Sequence, residues 1–444
     1  MLRKLILKSK NSEAKQYYQE LKKTENLPYE EIKKLQNQKL LKLINYAYEN
    51  VPYYRDLFNQ TEQIDVKNPN IDNIPILTKE IIKTQTHRLQ NKQLTKLNWY
   101  YNQSGGSTGE PIKIIQDDIY SNWSEATVRL FNKWCGFETG DKRLLIWGSE
   151  KDLLTGKENI QTYVKRFLKN EKWINAFNFD ERKMRETINI INTFKPKLVL
   201  AYVESIYELA KYVEKNKLNV YSSFTIVTTA GTLYPFMKEK IQKNFTSSAI
   251  INRYGSREIS AIASECLYSQ GLHTSPLTNY VEILRDDGTQ ADEGEDGNIV
   301  VTSLTNYAMP LIRYQIGDRG SMTYNNCKCG WNFQTLKEVS GRTTDMFIKE
   351  NGEKIDGRIF NTFLWNREFI KKYQVVQEKI NYIKIFIVEN DDVRSGVTNS
   401  IYEEISNQIL SIMGNDCEVE YAFVDIINPE KSGKYRYIKS KILE

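Results

Sequence analysis

The chain has 444 residues, 40% of them hydrophobic and 27% charged, with a formal net charge of +6. These values describe a globular protein of roughly two to three domains, long enough to bury a large core. They give little support to nucleic-acid binding, because the lysines are scattered among glutamates, and no apolar run reaches the length of a membrane span; a mild basic face leaves phosphate ligands or weak peripheral membrane contact open. The first ten residues, Met1-Leu-Arg-Lys-Leu-Ile-Leu-Lys-Ser-Lys10, form a short basic amphipathic piece without the apolar core or cleavage site of a signal peptide. Five cysteines in so long a chain do not make a disulfide framework, so a reducing, cytoplasmic setting is expected.

Residues 1–95 are expected to be mainly helical. Leu40, Leu43, Ile44 and Ala47 follow the spacing of a buried helical face, Asn50-Val-Pro-Tyr-Tyr-Arg55 breaks that helix, and Thr78 is placed to cap another. The segment Gln103-Ser-Gly-Gly-Ser-Thr-Gly-Glu-Pro111 then sets three hydroxyls and three glycines between two β-type runs, 96–101 and 112–115. Glycines allow close backbone approach to a ligand, and Ser104, Ser107 and Thr108 supply donors for phosphate oxygens. The Walker spacing is not there. On composition alone the segment is read equally well as a solvated hairpin loop.

From about residue 142 strands and helices alternate. The runs 143–147, 197–202, 224–229 and 249–254 read as strands, with helices near 203–213 and 235–243. Such alternation predicts an α/β fold whose parallel sheet is covered by helices, with ligands beyond the carboxyl ends of the strands. Thr229-Ala-Gly-Thr232 and Tyr254-Gly-Ser-Arg-Glu258 lie at two of those ends. A substrate pocket is expected among residues 134–254, which include Trp147, Trp173, Phe177, Phe179 and Tyr202. After residue 276 short strands and turns predict a strand-rich subdomain. Near Gly341 the pattern changes again, and the remaining residues read as a small α+β domain, giving proposed domains 1–340 and 341–444.

Three further groups carry chemistry. Asp318 follows a Gly turn in Pro310-Leu-Ile-Arg-Tyr-Gln-Ile-Gly-Asp318; Arg342 and Asp345 share Gly341-Arg-Thr-Thr-Asp345; and Lys434 sits in Glu430-Lys-Ser-Gly-Lys-Tyr-Arg436. Each alone is weak, since such residues are commonly turn or solvent positions. Cys266, His273, Cys327 and Cys329 include three of the five cysteines and one of the two histidines. Four N/S ligands with a Cys-x-Cys-Gly knuckle fit a closed structural zinc site, the alternative being two unrelated cysteine environments.

The order of these motifs along nearly the whole chain resembles the acyl-adenylate-forming superfamily. More narrowly it resembles phenylacetate–CoA ligase and its CapK-like relatives from capsule and surface-polysaccharide clusters, from Tyr46-Ala-Tyr-Glu-Asn-Val-Pro-Tyr-Tyr54 through Ile74-Pro-Ile-Leu-Thr-Lys79 to Lys434. The resemblance implies a large N-terminal adenylate-forming domain and a mobile C-terminal domain. It implies a carboxylic acid activated by Mg-ATP to an acyl-adenylate, then passed to coenzyme A, a carrier-protein thiol or a sugar amine. By that resemblance Ser104, Gly105, Gly106, Ser107, Thr108 and Gly109 hold the β- and γ-phosphates. Ala230, Gly231, Thr232, Tyr254 and Gly255 form the adenine side, and Asp318 and Arg342 bind near the ribose. Glu258 ligates Mg²⁺, Lys434 is the cation at the α-phosphate, and Asp345 is the hinge. Gly106-Ser107, Thr232 and Arg257 depart from the common family pattern, which leaves the acid open. The non-enzymatic alternative is a scaffold that kept the fold, and a monomer and a homodimer both remain open.

Overall fold

The computed structural model describes residues 12–61, 64–66, 68–104, 112–148, 160–176, 179–324, 327–342, 345–365, 367–390, 399–430 and 435–442. Gly105, Gly106, Ser107, Thr108, Gly109, Phe177 and Lys434 lie outside the described residues. The chain divides into two compact units, the larger running to Ser340 and the smaller beginning at Gly341.

The larger unit begins with helices Ser12–Lys23, Tyr29–Asn50 and Pro52–Gln60. Tyr29–Asn50 buries Leu40, Leu43, Ile44 and Ala47, the stripe its spacing predicts. It stops at Val51 because the following proline favours an extended residue before it, and Pro52 then opens the next helix with its φ already set. Tyr54 anchors that helix: its hydroxyl donates to the Pro310 carbonyl at 2.9 Å and accepts from the Ile312 amide at 3.1 Å. Thr78 caps Lys79–Thr84, accepting from Ile81 N at 3.3 Å.

A hairpin follows, β1 (Trp99–Gln103) and β2 (Lys113–Asp117), in register from Trp99↔Asp117 to Gln103↔Lys113. Asp117 ends it and caps helix Asp118–Trp134 by accepting from Tyr120 N at 2.8 Å, while its other oxygen accepts from Tyr307 N and Ala308 N. Then come β3 (Arg143–Ile146), β4 (Glu171–Ile174), β5 (Leu198–Tyr202), β6 (Thr225–Thr229), β7 (Ala249–Ser256), β8 (Ser260–Ser264), β9 (Leu272–Thr274), β10 (Asn279–Leu284), β11 (Gly297–Ser303), β12 (Tyr314–Thr323) and β13 (Thr335–Arg342). These eleven form one sheet in the order β10-β11-β12-β13-β9-β8-β7-β6-β5-β3-β4.

The α/β expectation holds, with one refinement: the strand-rich region is the other half of the same sheet. From β4 to β7 the pairing is parallel. Between β7 and β8 it turns antiparallel. The changeover falls within β7. Its first half, through Asn252, pairs with β6; its second, from Arg253, pairs with β8 across a bulge at Tyr254/Gly255. Helices Glu181–Phe194, Val203–Lys215 and Pro235–Asn244 cover the parallel half and share its core with Leu144, Val199, Ile226 and Ile250. The N-terminal helices share a second core with Ile283, Val301, Leu311 and Tyr314 of the antiparallel half. No helix among the described residues is long and apolar enough to cross a membrane.

The smaller unit contains β14 (Met346–Ile348) paired with β15 (Lys354–Asp356), and a four-stranded sheet of β16 (Ile370–Lys379), β17 (Tyr382–Glu389), β18 (Glu418–Phe423) and β19 (Ile438–Ser440), in the order β18-β17-β16-β19. Helix Asn399–Met413 buries Ile405, Ile409 and Met413.

Candidate active site and metal centre

The β7 changeover gathers the polar residues. The Tyr254 hydroxyl donates to Asp318 Oδ2 at 2.8 Å. A Cβ on Gly255 would lie 2.3 Å from the Ser260 carbonyl oxygen, so only glycine allows β7 and β8 to approach this closely. Gly255→Ala is therefore expected to destabilise the larger unit by about 1–3 kcal/mol through forced backbone shifts, measured by thermal unfolding. Glu258 follows on the turn and is 6% exposed. Tyr314, fully buried on β12, has its phenol pKa pushed well above the ordinary value, first by burial and then by the Glu258 and Asp318 carboxylates.

Asp318 reaches this cluster because segment 74–79 is strapped along the start of β12. Leu77 N donates to the Arg313 carbonyl and Gln315 N to the Leu77 carbonyl, both at 2.9 Å. Gly317 turns with φ +90°, and a Cβ there would sit 3.1 Å from Lys79 Nζ. Tyr254, Glu258 and Asp318 are thus brought together, with Tyr314 and Lys79, which lie inside the motifs 310–318 and 74–79 but carried no expected role. Lys79 had a signal, in the Thr-Lys of a capped helix; Tyr314 lay unremarked inside the Gly-Asp motif.

Ala230, just beyond β6, holds φ +63°, a left-handed conformation costly for a residue with a Cβ. Gly231 is exposed and Thr232 half-buried on the same turn. Of the Ser/Gly/Thr loop, Ser104 is described: its amide donates to the Ile112 carbonyl at 3.0 Å and its hydroxyl accepts from Ile112 N at 2.9 Å, closing the hairpin stem.

Beyond β3 and β5, Trp147 packs on Tyr202 with ring centroids 4.5 Å apart, and the Tyr202 hydroxyl donates to the Gly148 carbonyl at 2.9 Å. Two other aromatics of the expected pocket lie elsewhere. Trp134 packs against His273, Trp331 and Phe333. Trp173, on edge strand β4, is exposed, with the Arg166 guanidinium over its ring at 4.4 Å.

In the smaller unit Asp345 Oδ2 accepts from Arg342 N at 2.9 Å, and Oδ1 pairs with Arg436 Nη2 at 2.7 Å. Burial raises the Asp345 pKa, and Arg436 opposes that rise.

Cys266, His273, Cys327 and Cys329 come together as one cluster, their ligand atoms all within 4.8 Å of one another. Cys266 Sγ and Cys327 Sγ are 3.5 Å apart, and Cys329 Sγ is 3.4 Å from His273 Nε2. Tetrahedral bonds of about 2.3 Å to sulfur put neighbouring ligands about 3.7 Å apart, close to these two separations. His273 Nδ1 lies 3.1 Å from Thr335 Oγ1, which orients the ring with Nε2 inward. Burial pushes the His273 pKa down to about 4, keeping the imidazole in its neutral, ligating form. The cluster ties the turn after β8 and strand β9 to the segment entering β13.

Residues 347–441 match the family described as the CapK C-terminal domain. The chain is 24% identical over 414 residues to phenylacetate–coenzyme A ligase of Thermus thermophilus, covering 87% of this chain and 86% of the relative. It is 24% identical over 340 residues to the Escherichia coli protein of the same name, covering 73% and 74%. Among solved structures, a 2-hydroxyisobutyryl-CoA ligase in the postadenylation state superposes with a TM-score of 0.72 at 16% identity, covering 95% of this chain and 92% of that one. ATP-bound MatB from Rhodopseudomonas palustris gives 0.54 at 12% identity, covering 77% and 65%. Residues 347–441 thus match a CapK C-terminal domain, and along almost its whole length the chain shares its fold with an acyl-CoA ligase and resembles the phenylacetate–CoA ligases.

Proposed function

We propose that the protein is an ATP-dependent, AMP-forming acid–thiol ligase. A carboxylate oxygen of the acid attacks the α-phosphorus of ATP, the bond from that phosphorus to the α,β-bridging oxygen breaks, and pyrophosphate leaves with the electron pair. A thiol sulfur, that of coenzyme A in the first instance, then attacks the acyl carbon; AMP leaves and the thiol proton passes to solvent. The observation that carries this reading is the convergence of Tyr254, Asp318, Glu258 and Tyr314 at the β7 changeover, where the Tyr254–Asp318 hydrogen bond spans 2.8 Å.

In this reading Tyr254 stacks on adenine, with the 230–232 turn and Gly255 lining the base. Asp318 accepts hydrogen bonds from the ribose hydroxyls, assisted by Arg342. Loop 104–109 donates backbone N–H and hydroxyl hydrogens to the β- and γ-phosphates. Glu258 would hold Mg²⁺, a hard ion suited to carboxylate and phosphate oxygens, which when bound neutralises phosphate charge. Lys434 stabilises the charge that builds on the α-phosphate during attack, and Asp345 is the point about which the C-terminal domain turns between half-reactions. Cys266, His273, Cys327 and Cys329 would hold zinc; with no open ligand position its role is structural. By the resemblance to relatives from capsule clusters, we place this reaction in surface-polysaccharide assembly, in the cytoplasm, where an acyl group is prepared for transfer.

Asp318→Ala tests the nucleotide part. Loss of a half-buried, charge-assisted hydrogen-bond partner is expected to weaken Mg-ATP binding by about tenfold or more, read by calorimetric titration. Unchanged affinity would refute the assignment.

A further inference from the structure

One feature of the site belongs to no motif. Asn102 on β1 and Gln116 on β2 are diagonal neighbours on one face of the hairpin, since Asn102 pairs with Ile114 and Gln116 with Tyr100. Asn102 Nδ2 donates to Gln116 Oε1 at 3.0 Å and to the Arg257 carbonyl at 3.1 Å. Gln116 Nε2 donates to the carbonyls of Arg257 and Glu258, both at 3.1 Å. All four amide hydrogens are used, three of them on two consecutive carbonyls that bracket the Glu258 backbone. Gln116 is 1% exposed, and the Tyr120 hydroxyl also reaches the Glu258 carbonyl, at 3.4 Å.

A buried hydrogen-bonded network of this kind holds its members in one geometry. The hairpin that carries loop 104–109 is thereby fastened, through side chains, to the backbone of Glu258. We infer that Asn102 and Gln116 are positioning residues that fix the backbone of Glu258, so that its carboxylate is held ready for a Mg²⁺ shared with the phosphate oxygens of the nucleotide. This rests on the ligase reading above. It deepens that reading by giving two hairpin side chains a task, to fix the metal ligand.

The clamp acts on ATP only through the ion shared with Glu258, so its loss should show when Mg²⁺ is present and not otherwise. The test is calorimetric titration of ATP into the full-length protein, in millimolar Mg²⁺ and again in EDTA, for wild type, Asn102→Ala, Gln116→Met and Glu258→Gln. Methionine keeps the shape of Gln116 and removes its donors. Both clamp variants are expected to bind ATP about tenfold more weakly than wild type in Mg²⁺, as Glu258→Gln does, and within about twofold of wild type in EDTA. Their half-saturating Mg²⁺ concentration should rise by a similar factor. Wild-type affinity of both variants in Mg²⁺ would overturn the inference. So would an equal loss in Mg²⁺ and EDTA, which marks a merely structural role. Wild-type protein that binds no ATP in Mg²⁺ would instead overturn the ligase reading itself.

Discussion

Replacing Lys434 by alanine is expected to slow acyl-adenylate formation by about a hundredfold to a thousandfold, the usual cost of removing one fixed charge or donor from a developing oxyanion. Negative charge grows on the α-phosphate oxygens only as the carboxylate attacks, so a cation there favours the transition state over bound ATP. The loss should therefore fall on kcat for pyrophosphate release, with ATP affinity changed by no more than a few-fold. Thioester formation from a supplied acyl-adenylate should be spared, because that step makes no new bond at phosphorus. Stopped-flow measurement of the two half-reactions separates these outcomes. An equal loss in both would mean that Lys434 acts on the fold or on binding.

The second large effect concerns the Cys/His cluster. Elemental analysis is expected to find about one zinc per chain. Three buried or half-buried thiols and a buried imidazole tie the turn after β8 and strand β9 to the entry of β13. Chelation, or Cys327→Ser, is expected to remove about 5 kcal/mol or more of stability and to lower the apparent melting temperature by about 10 °C or more. Because β8 pairs directly with the half of β7 that carries Tyr254 and Gly255, ATP binding should weaken along with stability. A metal-free protein that melts at the same temperature would refute the zinc assignment.

What could be read from the chain follows from which groups leave a sequence signature. Cysteine and histidine are scarce here, so two close pairs, Cys266 with His273 and Cys327 with Cys329, mark a cluster in the sequence itself. Tyr254, Glu258 and Asp318 were legible because glycines force their turns: Gly255 by the closeness of Ser260, Gly317 by its positive φ. Asn102 and Gln116 were not, because their partners are backbone carbonyls, which every residue carries. Helix Asp118–Trp134 went unread although Tyr120, Trp123, Thr127, Leu130 and Trp134 carry a helical period, and its cap, Asp117, is the last residue of a strand. Strand β4 went unread because it is an edge strand with Lys172 and Trp173 both exposed, which breaks the alternation expected of a half-buried strand. The continuity of the sheet was hidden for a related reason. The switch from parallel to antiparallel pairing happens within β7, and no local pattern marks it. The aromatics from Trp134 onward divided among different surroundings because bulk alone does not separate pocket lining from core packing.

The central claim is that this chain activates a carboxylate with ATP. Pyrophosphate release by the full-length protein, measured with ATP and Mg²⁺ across a broad panel of carboxylic acids, tests it most directly. The expected result is stoichiometric pyrophosphate and AMP with at least one acid, dependent on that acid and lost in Lys434→Ala. No release with any acid, together with no ATP binding by calorimetry, would contradict it and leave a protein that keeps the fold as a scaffold.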